Sequence, residues 1–119
     1  MGDDEMASFG QLLREQRRKA GVSQRDLGAR AGLDFSYISK LENDRIPPPA
    51  ADTVVAICRV LKIEPEELLA ASGKLPADIR STMGSSVAAQ SFLQNASRMS
   101  LTEQEWKEMT SSLHRLREG

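Results

Sequence analysis

Residues 23–43 read SQRDLGARAGLDFSYISKLEN, and this stretch decides the fold. Ser23 is suited to cap a helix at the amide of Asp26, three residues further on, and Gly32 is suited to end that helix. Asp34 then stands at the cap position of a second short helix. The stretch therefore predicts two short helices joined by a tight turn.

Helix signals continue on both sides of this pair. Three more helices are predicted, over residues 8–20, 50–62 and 65–71. Ser8 caps the first of them, Pro65 suits the first position of the last, and the RIPPP segment at 45–49 is an extended connector because proline cannot continue a helix. Since strand and hairpin signals are missing, the sequence predicts an all-α fold, with a five-helix domain at 8–73 after a disordered segment at 1–7.

Residues 74–119 are rich in Ser, Gln and Met and poor in large apolar groups. Helices are predicted near 77–82, 87–98 and 103–117, with a flexible break at 84–86 and a capping box formed by Thr102 and Glu105. This region is too small for a core of its own, so we expect it to be a helical dimerisation region rather than an internally packed one. The side chains expected at the dimer seam are Phe92, Trp106, Met109, Leu113 and Leu116.

Charge and composition narrow the function classes. The net charge is −1, yet Arg14 to Arg45 holds eight basic and five acidic residues, so its local balance is positive and suits DNA. Cys58 falls on the apolar face of the fourth helix and is expected to pack in the core, and His114 at a surface or interface. We expect no enzyme activity, no metal and no cofactor. The acidic N-terminus and the lack of long apolar runs predict a cytoplasmic protein.

A helix pair joined by a tight turn places its second helix in the DNA major groove. Residues 9–72 resemble the lambda-repressor/Cro-like helix-turn-helix family of Xre-type regulators. The matching features are Ser23-Gln24, Leu27, Gly32, Ile38, Leu41-Glu42, the proline connector and the ELL run at 67–69. Two positions depart from that family: Gly28 stands where alanine is usual, and Asp44 replaces a common glycine, so the exit of the second helix is expected to be slightly strained.

The resemblance assigns roles to residues of the helix pair. The base-reading side chains that it implies are Phe35, Ser36, Ser39 and Lys40. The phosphate contacts that it implies are Gln24, Arg25, Tyr37, Asn43 and Arg45, with Gln24 also bracing the recognition helix. It further implies a semi-buried structural ion pair between Arg17 and Glu42.

The leading hypothesis is a sequence-specific DNA-binding regulator, a homodimeric repressor on a palindromic operator. One alternative is an antitoxin-like or peptidase-controlled repressor whose C-terminal region binds a toxin or metallopeptidase partner. Another is a protein-interaction adaptor that binds no specific DNA sequence.

Overall fold

The computed structural model describes residues 7–118, which form eight helices and no strand. The helices are α1 (Phe9–Lys19), α2 (Gln24–Ala31), α3 (Phe35–Glu42), α4 (Ala51–Leu61), α5 (Glu66–Ser72), α6 (Ala77–Gly84), α7 (Val87–Met99) and α8 (Glu103–Arg115). The predicted all-α fold class is confirmed. No helix in the described range is long and apolar enough to span a bilayer.

The chain divides into two compact units, with the division between Ala77 and Asp78. The predicted domain boundary at 73/74 lies four residues earlier. Apart from Ala7, the segment 1–7 that was predicted to be disordered lies outside the described residues.

The five helices of the N-terminal unit, α1 to α5, enclose one hydrophobic core. In it α3 packs on α1 and α2, while α4 packs on α2 and α5. Ten buried side chains make up this core: Phe9, Leu13, Leu27, Ile38, Leu41, Val54, Ile57, Cys58, Leu61 and Leu68. Burial of one such large apolar side chain contributes about 1.5–3 kcal/mol, so this cluster fixes the relative positions of the five helices. Cys58 is in the core, as its helical spacing predicts.

Short-range hydrogen bonds set the helix starts. Ser8 accepts from the amide of Gln11 and Ser23 from that of Asp26, as predicted. Asp34 occupies the N-cap position of α3, but its side chain makes no capping bond. Pro65 is the N-cap of α5 rather than its first residue, one position earlier than predicted.

The C-terminal unit has well-capped helices and almost no core. Thr102 and Glu105 form both bonds of the predicted capping box at 2.9 and 3.1 Å. The break at 84–86 is short, since α6 ends at Gly84 and Ser86 caps α7. α6 extends two residues beyond its predicted end, and α8 stops at Arg115 rather than at 117. Within 78–118 only Ala96 is buried, and 6% of its surface is still exposed.

Candidate nucleic-acid interface

Helix α3 is held along one side and open along the other. Ile38, Leu41 and Glu42 are buried, which fixes its axis and its rotation. The opposite side presents Phe35, Ser36 and Lys40 to solvent, while Tyr37 and Ser39 are half-buried at its edges. The helix therefore offers a fixed, mostly polar row of side chains with one exposed aromatic ring.

The turn before α3 depends on glycine at two positions. Gly32 ends α2 with φ 74°, in the left-handed region. The Leu33 amide donates to the Gly28 carbonyl at 2.7 Å, and a Cβ at Gly28 would lie 2.6 Å from the Leu33 carbonyl oxygen. Gly28 therefore lets the turn lie directly against α2, which accounts for a glycine where the family commonly has alanine.

The carboxylate of Glu42, the last residue of α3, is contacted by polar side chains from both α1 and α2. Arg17 donates to both of its oxygens, with the Nη2–Oε1 distance at 2.9 Å. Gln24 Nε2 donates to Oε1 at 2.9 Å, and Arg14 Nε approaches the same oxygen at 3.5 Å. The structure thus brings together Arg17 and Glu42, the two residues that the resemblance pairs, and ties α1 and α2 to the end of α3.

Two opposing effects set the protonation of this cluster. Burial alone would raise the pKa of Glu42, but the hydrogen bonds from Arg17, Gln24 and Arg14 outweigh it and hold the pKa below its ordinary value. The hydrogen bond to Glu42 likewise raises the pKa of Arg17. Both side chains are therefore charged at neutral pH. The ion pair that anchors α3 remains charged although it is buried.

A second tie joins the exit of α3 to the start of α1. Asp44 adopts a left-handed backbone with φ 55°. Its Oδ1 accepts from the Gly10 amide at 3.0 Å and its Oδ2 from Ser8 Oγ at 2.6 Å. The carboxylate lies at the N-terminus of α1, where negative charge is favoured, and this compensates the strained backbone.

Two of the expected phosphate contacts have partners inside the protein. Asn43 accepts from Arg14 Nη2 at 2.8 Å and donates to the Ser39 carbonyl at 2.9 Å. Gln24 is bound to Glu42 as described, which agrees in geometry with a bracing role. Arg45 is exposed one residue beyond Asp44.

Arg25 has a different surrounding. Its guanidinium carbon lies 4.5 Å from the centroid of the Phe35 ring, so a residue of α2 is stacked on the first residue of α3. Sequence reasoning treated the two separately, as a phosphate contact and as a base reader. It also missed Arg14, although Arg14 stands one helical turn before Arg17 on the same face of α1.

The expected dimerisation residues come together within the C-terminal unit. Phe92 of α7 and Trp106, Met109 and Leu113 of α8, with Leu116 just after it, line one groove of about 560 Å³. All five are substantially exposed, Trp106 by 40% and Leu113 by 61%. The structure therefore shows a continuous apolar surface that nothing in residues 78–118 covers.

In the part of the chain that the structure describes, no group of three or more His, Cys, Asp or Glu side chains is placed to hold a metal ion.

Comparison with known proteins places this geometry in a family. Residues 8–71, more than half of the chain, match the family described as helix-turn-helix domain. The chain belongs to this family. It is a lambda-repressor-like helix-turn-helix protein, of a class that comprises DNA-binding transcriptional regulators rather than enzymes.

Three similar proteins give the extent of the match. The uncharacterized HTH-type transcriptional regulator RghRB of Bacillus subtilis (strain 168) is 38% identical over 72 residues, which are 60% of this chain and 52% of that protein. The P22 c2 repressor, solved with a synthetic operator, is 26% identical with a TM-score of 0.50 over 56% of this chain and 98% of that one. A SinR/SinI complex structure covers 92% of this chain and 97% of its own at TM-score 0.50 and 18% identity, which shows a common fold only.

This helix-turn-helix protein spans about half the length of the curated relatives it matches.

Proposed function

We propose that the protein is a dimeric transcriptional repressor that binds a palindromic operator through α3. The observation that carries this proposal is the outer side of α3, where Phe35, Ser36 and Lys40 are exposed on a helix anchored by Ile38, Leu41 and Glu42. A helix held this rigidly can enter the major groove with its side chains already in place.

Each side chain of α3 has a matching chemistry on DNA. Lys40 donates to guanine O6 and N7, Ser36 and Ser39 pair with several bases, and Phe35 packs on a thymine methyl. The phosphate contacts proposed are Tyr37 and Arg45, together with Gln24 and Asn43, since each of these two amides retains a second N–H.

A related protein supports the repressor role. The P22 c2 protein, which shares the fold at 26% identity, is a repressor whose structure was solved in complex with a synthetic operator. Operator binding by this chain would repress by blocking a promoter, in the cytoplasm.

Dimerisation is proposed to occur through the apolar groove of the C-terminal unit. Two copies that bury Trp106, Met109 and Leu113 against each other would supply the core that this unit lacks. A two-fold dimer presents two copies of α3, and half-sites about one helical turn apart follow from that symmetry.

The DNA part is tested by selecting bound fragments of source genomic DNA at about 0.15 M salt, where binding to phosphates alone is weakened. An enriched palindrome is expected. Lys40→Ala should lose discrimination at one base position. Lys74 is an exposed lysine outside α2 and α3, so Lys74→Ala is the control and should retain that discrimination. Absence of any enriched sequence would contradict the proposal.

The dimer part is tested by light scattering. Leu113→Glu should give a monomer because it places a charge in the groove. Leu93→Glu, on the same unit but outside the groove, should remain dimeric. A wild-type monomer would contradict dimerisation and would direct attention to a toxin or metallopeptidase as the partner of this surface.

A further inference from the structure

Arg25 and Phe35 are in contact at the proposed DNA-binding surface, although each was assigned a separate role there. Arg25 is the second residue of α2, and Phe35 is the first residue of α3. Both side chains are exposed, Phe35 by 42%. Among residues 7–73, Phe35 is the single large apolar side chain that is substantially exposed. The guanidinium of Arg25 lies over the ring of Phe35.

Stacking changes what the arginine can do. A guanidinium that lies over a ring uses its flat face for the cation–π contact and keeps its N–H donors, which point outward in its own plane. Arg14 and Arg17 differ, because their donors are directed at Glu42 and Asn43. Within residues 7–118 the Arg25 guanidinium contacts the Phe35 ring and makes no hydrogen bond or ion pair. Its N–H donors therefore remain available beside the start of α3.

The position of these donors matters for DNA. The N-terminal residues of a recognition helix are those that contact base edges. Because the guanidinium lies over the ring of the first residue of α3, it is next to the end of the helix that contacts base edges. A planar fork of N–H donors matches guanine O6 and N7, and an aromatic ring edge matches the methyl group of thymine.

We propose that Arg25 and Phe35 form one specificity-determining pair. Arg25 reads a guanine, and Phe35 holds the guanidinium in the plane required while its own edge contacts the methyl group of a neighbouring thymine. This inference rests on the proposed function, and it makes Arg25 a base reader instead of a phosphate contact. It also predicts that the two residues are coupled, because removing the ring releases the plane of the guanidinium.

Base analogues placed in the selected operator test the pair. In 7-deazaguanine the N7 acceptor is missing, and in deoxyuridine the methyl group of thymine is missing, while Watson–Crick pairing is kept. For the wild type, replacing the read guanine by another base should weaken binding by roughly 5- to 150-fold, and 7-deazaguanine by a part of that. Arg25→Ala should be weaker on the unmodified operator and indifferent to both changes at that guanine.

Variants of Phe35 separate its two roles. Phe35→Leu keeps an apolar contact for the thymine methyl but offers no ring for stacking, so it should keep the sensitivity to deoxyuridine and lose most of the guanine discrimination. Phe35→Ala should lose both. Arg30→Ala, which removes an exposed arginine from the other end of α2, is the matched control and should leave both discriminations at wild-type values. Circular dichroism checks that every variant is folded.

The outcomes distinguish this inference from the proposed function. If Arg25→Ala weakens all sequences equally and lowers the salt dependence by about one charge, Arg25 is a phosphate contact and the inference is wrong, while the repressor proposal stands. Full guanine discrimination in Phe35→Leu would overturn the coupling. If the wild type selects no sequence at all, the proposed function fails, and the pair fails with it.

Discussion

The two units of this protein are built from helices of similar quality but differ in what the helices bury. In the N-terminal unit, ten buried side chains from all five helices converge on one core, and Arg17 and Glu42 close its edge. In the C-terminal unit, the N-termini of α7 and α8 are capped, yet Ala96 is the one buried residue within 78–118. Capping thus determines where a helix begins, whereas burial determines whether helices form a stable unit.

This difference separates the roles of the two units. Large apolar side chains are exposed at one position of the helix pair, Phe35, and at many positions of the C-terminal unit. In the first unit the exposed ring lies at the surface proposed to meet DNA. In the second the exposed residues line a groove that a second copy of the chain is proposed to fill.

Core truncation should give the largest contrast between the units. Leu27 is fully buried, so Leu27→Ala should lower the free energy of unfolding by about 2–5 kcal/mol. Leu113→Ala removes the same atoms from an exposed side chain and should change the stability of the N-terminal unit by less than about 0.5 kcal/mol. Urea denaturation followed by Tyr37 fluorescence, in a Trp106→Phe background, measures both. Equal losses would refute the contrast.

Two glycines offer a second, smaller contrast. A Cβ at Gly10 would lie 2.4 Å from the Leu41 carbonyl oxygen and 2.6 Å from Asp44 Oδ1, so Gly10→Ala should cost about 1–3 kcal/mol by forcing α1 away from α3. At Gly84 the nearest atom to an added Cβ is the end of the Gln90 side chain at 3.9 Å. Gly84→Ala should therefore stabilise by up to about 1 kcal/mol through helix propensity. Thermal unfolding by circular dichroism compares them, and a neutral Gly10→Ala would show that α1 is free to shift.

Protein concentration should affect the unit that is proposed to dimerise. Trp106, the only tryptophan, lies in the groove and reports the C-terminal unit. A tenfold increase in concentration should raise the apparent stability seen by Trp106 fluorescence by about 1.4 kcal/mol per dimer through mass action. A transition that does not move with concentration would argue for a monomeric unit.

Acid should act on the N-terminal unit through Glu42. Because the pKa of Glu42 is lowered in the folded state, its contribution is complete above the unfolded value of about 4.3 and is lost as the pH falls through the folded pKa. Glu42→Gln should be less stable than the wild type at neutral pH, and the two stabilities should converge on acidification. Urea denaturation between about pH 2 and 7 tests this. Parallel curves would mean that Glu42 is not the titrating group.

The sequence predicted local features well because their causes are local. The caps at Ser8 and Ser23 and the capping box at Thr102 each involve residues three positions apart, so spacing alone reveals them. Helix α5 begins one residue later than predicted, with Pro65 as its N-cap, because the fixed φ angle of proline suits both the cap and the first helical position.

Contacts between residues far apart in the sequence could not be predicted from spacing. Arg17 with Glu42 came from resemblance to a family, and Arg14, Gln24 and Asp44 were not assigned their present partners. These bonds join residues 18 to 36 positions apart, and their existence depends on how α1, α2 and α3 cross. The stacking of Arg25 on Phe35 is of the same kind, since no periodicity in either helix indicates it.

Cys58, the only cysteine, gives the N-terminal unit a built-in chemical probe. Burial, and secondarily the charge of Glu66, raises the pKa of its thiol to about 11. Since the thiolate is the reactive form, a disulfide reagent should reach Cys58 at an appreciable rate only when the core opens. The labelling rate then measures the opening equilibrium without any engineered label. DNA that binds the closed form should slow labelling by the factor 1 + [DNA]/Kd, so the same thiol would also yield operator affinity in solution.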